Sequence, residues 1–128
     1  MFSLHEIKFL ITLHHLNRHR MSSKNKDITK QMNISKTAVS KVSKPLFEKN
    51  VIKREIDGNI YFTPKGEAMA NEYIEKYDLL FHYFSFYLKL EKIIAHRDSL
   101  FCAITLSNES ISKIAFECGC KYCNDAFY

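Results

Sequence analysis

The fold of this chain is decided by residues 25–66, which read NKDITKQMNISKTAVSKVSKPLFEKNVIKREIDGNIYFTPKG. Asn25 can cap a first short helix that turns Ile28 inward, and Asn33 is a residue that ends helices. Ser35 can open a second helix, because its hydroxyl can accept a backbone N–H of the first turn. The pattern predicts two helices joined by a tight turn.

The second helix of this stretch has two chemically different faces. Val39, Val42 and Leu46 recur at the spacing of a buried helical stripe. No carboxylate appears before Glu48. The opposite face carries only hydroxyl and ammonium groups, from Lys36, Thr37, Ser40, Lys41 and Lys44. A helix with this face suits the major groove of duplex DNA.

Two β-prone runs follow, residues 51–54 and 60–62, on either side of the Asp-Gly-Asn turn at 57–59. Thr63 then caps a helix that has Pro64 at its first position. Helix, turn, helix and hairpin in this order predict a winged helix-turn-helix. The predicted fold class is mainly α with a small β-wing and C-terminal dimerisation helices.

Charge is unevenly distributed along the 128 residues. Residues 1–66 hold 13 Lys and Arg against 5 Asp and Glu, whereas residues 67–128 hold 6 against 9. A basic half and a slightly acidic half indicate a polyanionic partner on one side only. We predict a DNA-binding domain over residues 1–66, followed at 67–128 by a long helix and a helical dimerisation region with a Cys-rich tail.

Four helices are predicted outside the central stretch, of which the first two are long. Ser3 and Glu6 form a capping box for a helix that ends near Arg18. A long helix from Glu67 to about Leu90 is apolar on nearly all sides in its second half. A chain of this size cannot bury such a helix alone, so a homodimer is expected.

The remaining helices are short in this interpretation. After a charged link, Asp98 caps one helix, and Ser107 or Asn108 caps another that ends at Gly119.

The cysteines form the one cluster of side chains that could bind a metal or undergo redox chemistry. Cys118, Cys120 and Cys123 lie within six residues, and Cys102 or His96 could complete a tetrahedral Zn²⁺ site. The same thiols could form a reversible disulfide. Ordinary cysteines near a chain end are the third interpretation.

Other functional classes lack support in the sequence. It contains no glycine-rich phosphate loop, no Gly-x-Ser-x-Gly elbow and no His-Glu-x-x-His motif, so an enzyme is not expected. It has neither an apolar run of membrane-spanning length nor a signal-peptide pattern. We therefore expect a cytoplasmic protein that does not engage membranes.

The chain resembles the diphtheria-toxin-repressor-like family of iron- and manganese-dependent repressors. The resemblance rests on Asp27-Ile28, Ile34-Ser35, Thr63-Pro64-Lys65-Gly66, Leu79-Leu80 and the segment 106–114. The wing and the Thr-x-x-Gly element are also similar to regulators of the multiple-antibiotic-resistance-regulator (MarR) type. The resemblance implies a winged-helix fold, DNA binding and a dimer.

The same resemblance does not extend to the metal ligands of that family. The matching positions hold Tyr77, Leu100, Ala103 and Ile104, none of which suits a hard cation. Any regulation by metal would then have moved to the cysteine cluster.

These observations predict a homodimeric transcriptional regulator, a repressor by resemblance, that binds a near-palindromic operator. The wing turn lacks a basic residue and is expected to contribute weakly. A Cys-tail metal or redox sensor of MarR type and a winged-helix module that docks protein are the alternatives. The predicted DNA contacts are Ser35, Lys36, Thr37, Ser40, Lys41, Lys44, Arg54 and Tyr61.

Overall fold

A computed structural model describes residues 2–118. Its backbone contacts divide the chain into two compact units, the first ending at Asn71 and the second beginning at Glu72. The division falls inside a helix, whereas the sequence pattern places the domain boundary at the start of that helix.

The chain is mainly helical with one two-stranded antiparallel sheet, as predicted. The elements are α1 Leu4–Arg18, α2 Asn25–Met32, α3 Lys36–Glu48, β1 Ile52–Arg54, β2 Ile60–Phe62, α4 Pro64–His82, a π-helical turn Tyr83–Tyr87, α5 Lys92–Thr105 and α6 Asn108–Cys118. The winged helix-turn-helix is confirmed in order and in type. None of these helices combines the length and the apolar character that crossing a membrane requires.

The first unit is built on α1. The predicted capping box begins it, because Ser3 N–H donates to Glu6 Oε1 at 2.8 Å and Glu6 N–H donates to Ser3 Oγ at 3.2 Å. Helices α1, α2 and α3 pack against one another. Their fully buried side chains include Phe9, Leu10, Ile11, Leu13, Leu16, Ile28, Val39 and Leu46.

The β-wing follows α3 directly. Ile52 pairs with Phe62 and Arg54 with Ile60, which leaves residues 55–59 as the turn. Gly58 has φ +85°, a value that favours glycine, so the Asp-Gly-Asn signal placed the turn correctly.

The first turn of α4 lies against the residue that follows α3. Thr63 Oγ1 accepts the N–H of Gly66 at 2.9 Å and thus caps α4, as predicted. Thr63 N–H donates to the carbonyl of Val51 at 3.1 Å. A Cβ on Gly66 would lie 1.8 Å from the Val51 carbonyl oxygen, so only glycine fits.

The long helix ends earlier than the sequence predicts. Helix α4 stops at His82, a π-helical turn continues to Tyr87, and Lys89 leaves it with φ +58°. Leu88 N–H donates to the Tyr83 carbonyl at 2.9 Å, a five-residue step. Within this wider turn the rings of Tyr83 and Tyr87, four residues apart, stack with their centres 5.3 Å from each other. The aromatic run that suggested a continuous apolar helix lies at the site of the irregular turn.

Helix α5 is longer than predicted and begins at Lys92, so Asp98 lies inside it rather than at its start. The buried face consists of Ala95, Ser99 and Ala103, at intervals of four. These small residues carry little hydrophobic signal, which explains why the sequence pattern missed the first two turns.

Helix α6 begins as predicted, with Ser107 Oγ accepting the N–H of Ser110 at 3.2 Å. Ile111 and Ala115 are buried with Leu79 in the core of the second unit. Gly119, the predicted end of this helix, lies outside the described residues.

Substitution of Gly66 tests the close packing at the start of α4. Gly66→Ala should lower the free energy of unfolding by about 3 kcal/mol or more, because its Cβ would collide with the backbone of Val51. Urea denaturation measures this change, and Glu67→Ala at the exposed next position is the control. A loss below about 1 kcal/mol for Gly66→Ala would contradict the packing described here.

Candidate functional site

Helix α3 is positioned by the turn that precedes it. Asn33 ends α2 in the left-handed conformation, with φ 54°. Ser35 then accepts the N–H of Ala38 through its Oγ at 3.1 Å, so α3 begins at Lys36. Both features were predicted, and together they fix where the first side chains of α3 point.

The burial of the side chains confirms that α3 has one buried and one exposed face. Val39 and Leu46 are fully buried. Ser43 is buried between them, whereas Val42, which the stripe included, is only half-buried. Ser43 is tolerated inside because its hydroxyl donates to the Ser40 carbonyl at 3.2 Å.

The predicted contact residues of α3 are all exposed, and they share one side of the helix through spacings of three and four. They are Lys36, Thr37, Ser40, Lys41 and Lys44, with Ser35 at the N-terminal end. Pro45 lies inside the helix and has no N–H to donate to the carbonyl of Lys41. The helix nevertheless continues to Glu48, beyond every residue of the exposed polar set.

Arg54 and Tyr61, the predicted flanking contacts, are engaged within the wing. Arg54 donates to the Gly58 carbonyl at 3.2 Å and to Asn25 Oδ1 at 3.3 Å. Its guanidinium also lies 5.4 Å from the centre of the Phe47 ring. Tyr61 is half-buried, and its hydroxyl lies 3.5 Å from Asp57 Oδ2. Arg54 therefore has a structural role in addition to any contact with DNA.

The sequence predicts residues 20–26 as a polar, basic loop able to touch phosphate, but it does not reveal the hydrogen bonds that tie the segment before α2 to the wing. Ser23 is 1% exposed, and its N–H donates to Asn59 Oδ1 at 2.9 Å while its Oγ donates to the Ile60 carbonyl at 2.8 Å. Lys24, rather than Asn25, is the N-cap residue of α2, and its N–H donates to Asp27 Oδ2 at 3.0 Å. The hydrogen-bond partners of Ser23 lie 36 or 37 residues away in the chain, so no local pattern could have found them.

The cysteines are only partly described. Burial, with a smaller effect of the Asp98 charge, raises the pKa of the half-buried Cys102 thiol. Cys118 Sγ lies 3.5 Å from the carbonyl of Ala115. Cys120 and Cys123 lie outside the described residues. Within residues 2–118 no three His, Cys, Asp or Glu side chains are grouped so that they could hold a metal.

The positions that match the ligands of the iron- and manganese-dependent repressors are occupied differently here. Tyr77 is 2% exposed, and its hydroxyl lies 2.6 Å from Nδ1 of His96 on α5. The two rings pack edge to face with centroids 5.6 Å apart. Ala103 is buried, and Leu100 and Ile104 are half-buried. A phenol–imidazole hydrogen bond thus joins α4 to α5 within the second unit.

Comparison with known proteins supports the winged helix. The MarR family model matches residues 2–59. A sequence search of curated proteins finds no match.

Solved structures with the same fold include the manganese regulator SloR, at TM-score 0.66 and 19% identity, covering 89% of this chain and 53% of that one. IdeR of T. acidophilum gives TM-score 0.70 and 15% identity, covering 94% and 55%. A hypothetical protein from Sulfolobus solfataricus gives 0.52 and 21%, covering 92% and 90%. The chain spans about half the length of SloR and IdeR.

His96 makes the stability of the second unit sensitive to pH. Burial lowers the pKa of His96, so below about pH 6.5 the unfolded chain binds more protons than the folded chain. The contribution to stability is complete above that pH and is lost as the pH falls through it. Urea denaturation at pH 7.5 and 5.5 should therefore show a smaller loss for His96→Gln than for the wild type. His5→Gln, at an exposed position, should retain the wild-type loss, and equal losses for all three proteins would contradict this role of His96.

Proposed function

We propose that this chain is a DNA-binding transcriptional regulator that acts as a repressor and reads the major groove with α3. The observation that carries the proposal is the exposed face of α3, which presents three lysines and two hydroxyl residues and no carboxylate. Hydroxyl groups can donate to or accept from base edges, and ammonium groups bind guanine acceptors and phosphates. The family match and the shared fold support the same assignment.

The charge distribution supports DNA as the polyanion. The excess of Lys and Arg is confined to residues 1–66, the part of the chain that contains the helix-turn-helix and the wing. A module that docks on protein would not require this excess. Each phosphate that a lysine neutralises releases counterions, so binding should weaken steeply as salt increases.

We propose further that the second unit forms a homodimer. Several large apolar side chains of this unit are exposed, and a surface of this kind indicates a protein interface. The exposed fractions are Phe86 75%, Tyr87 53%, Leu88 46%, Ile93 76%, Phe101 63% and Phe116 68%. A two-fold dimer would present two copies of α3 to half-sites about one duplex turn apart, so the operator should be near-palindromic.

Removal of two lysines tests the DNA contact. An operator duplex is first selected from a random-sequence pool, and its affinity is then measured by fluorescence anisotropy over a range of salt concentrations. Lys36→Ala/Lys41→Ala should lower the affinity by about 1–3 kcal/mol per contact and reduce the slope of log K against log salt by roughly two. The control, Lys92→Ala/Lys113→Ala, removes the same charge from exposed positions of the second unit. Wild-type affinity in the Lys36/Lys41 variant would exclude α3 as the reading helix.

Light scattering tests the dimer. The wild type should give about twice the 15.1 kDa chain mass at micromolar concentration. Phe86→Ser/Ile93→Ser should shift it towards the monomer, because it removes two exposed apolar side chains from the proposed interface. Ile56→Ser changes an even more exposed apolar side chain of the first unit and should leave the dimer intact. A monomeric wild type would disprove this part of the proposal.

A further inference from the structure

Helix α3 has a third side, between the side that packs in the core and the polar side proposed to meet DNA. Ala38, Val42 and Pro45 lie on this third side at spacings of four and three, and all three are half-buried. Ile34, from the turn before the helix, continues the row. These apolar side chains line a groove of about 620 Å³ beside α3, which we call the α1–α3 groove. The half-burial of Val42 thus follows from its place in this groove.

The opposite wall of the groove is the first turn of α1, with Ser3, His5 and Glu6. The capping box holds this wall in place, since Ser3 N–H donates to Glu6 Oε1 at 2.8 Å and Glu6 N–H donates to Ser3 Oγ at 3.2 Å. Helices α1 and α3 also pack against each other. The groove is therefore preformed within the first unit, and its volume lies in the range of small-molecule sites.

The charges around the groove favour an anion. Lys41 and Lys49 line it from α3, and both are exposed. They are eight residues apart, which is about 12 Å along the helix axis. Glu6 supplies one carboxylate, which already accepts the N–H of Ser3. Two ammonium groups at the edge of an apolar floor suit a molecule with an anionic head and an apolar body.

Pro45 is a second indication that the groove has a function. It lies inside α3, where proline removes a backbone hydrogen bond and costs about 3 kcal/mol or more. Its ring lines the groove, where it presents an apolar surface without an N–H. Positions that break a rule of local structure without an evident gain in packing are expected at functional sites.

We propose that the α1–α3 groove binds a free medium-chain alkyl carboxylate. The carboxylate head lies between Lys41 and Lys49. The alkyl chain runs over Val42 and Ala38 towards Ile34. The effect on DNA rests on the proposed function, because Lys41 is also a proposed DNA contact. The bound carboxylate and a DNA phosphate then compete for the same ammonium group, so the ligand releases the operator.

Isothermal titration calorimetry on the full chain without DNA tests the site. Decanoate, used below its micelle concentration, should bind saturably at one site per chain. The affinity should rise about threefold for each methylene added from hexanoate to decanoate, because each is buried on the apolar floor. Decanol has the same chain without the charge and should bind about fivefold more weakly. A titration that does not saturate, or an affinity independent of chain length, would overturn the proposal.

Two variants place the ligand in the groove. Val42→Phe fills the floor and should raise the dissociation constant for decanoate about tenfold or more. Lys49→Gln changes an exposed side chain, so folding is not at stake, and it should raise that constant about fivefold. Lys30→Gln removes the same charge from an exposed position of α2 and is the control. Wild-type affinity for decanoate in both groove variants would exclude this site.

Fluorescence anisotropy with the selected operator duplex tests the competition. Saturating decanoate should raise the dissociation constant of the wild type for the operator about tenfold, and bound operator should weaken decanoate by the same factor. The operator affinity of Val42→Phe should no longer respond to decanoate. An unchanged operator affinity in decanoate-saturated wild type would overturn the competition at Lys41. A wild type that binds decanoate but selects no duplex would disprove the proposed function and leave the groove assignment standing.

Discussion

The first unit depends on the close approach of α4 to Val51. The Val51 carbonyl accepts the Thr63 N–H at 3.1 Å, and the Thr63 hydroxyl caps the helix that begins at Pro64. Gly66 is required because its missing side chain lets the first turn of α4 rest on the Val51 backbone. This contact closes the hairpin against the end of α3. The wing, α3 and α4 therefore meet at one small junction around Val51 and Thr63.

Beside that junction, α3 buries one face in the core and exposes the other to solvent. Val39 and Leu46 hold it against α1 and α2, and the polar side remains uncovered. The segment at Ser23 adds a second constraint, because its hydrogen bonds tie the wing to the start of α2. The geometry of the proposed DNA surface thus arises from backbone and short side-chain contacts rather than from charged pairs, which leaves the lysines available for phosphates.

The second unit is held together by different contacts. Where the resemblance places a metal ligand, the Tyr77 hydroxyl lies 2.6 Å from Nδ1 of His96, and this hydrogen bond joins α4 to α5. The aromatic run that follows forms a π-helical turn whose outer rings are exposed. The buried face of α5 consists of small residues, Ala95, Ser99 and Ala103. This unit combines a compact interior with an apolar exterior, consistent with the dimer proposed for it.

The sequence by itself determined the winged helix, because its signals are local: the Ser35 and Thr63 caps, the Asp-Gly-Asn turn and the periodic burial of α3 act within a few residues. It also determined the exposed polar side of α3, whereas the structure places Ser43 rather than Val42 in the buried stripe. Only the tertiary structure decided the end of α4, the early start of α5 and the position of Lys24 on Gly58. Those features depend on aromatic stacking, on small residues that carry little periodic signal, and on hydrogen bonds between segments more than thirty residues apart, such as Ser23 with Asn59. Such partners are selected by packing in space, which a one-dimensional pattern does not encode.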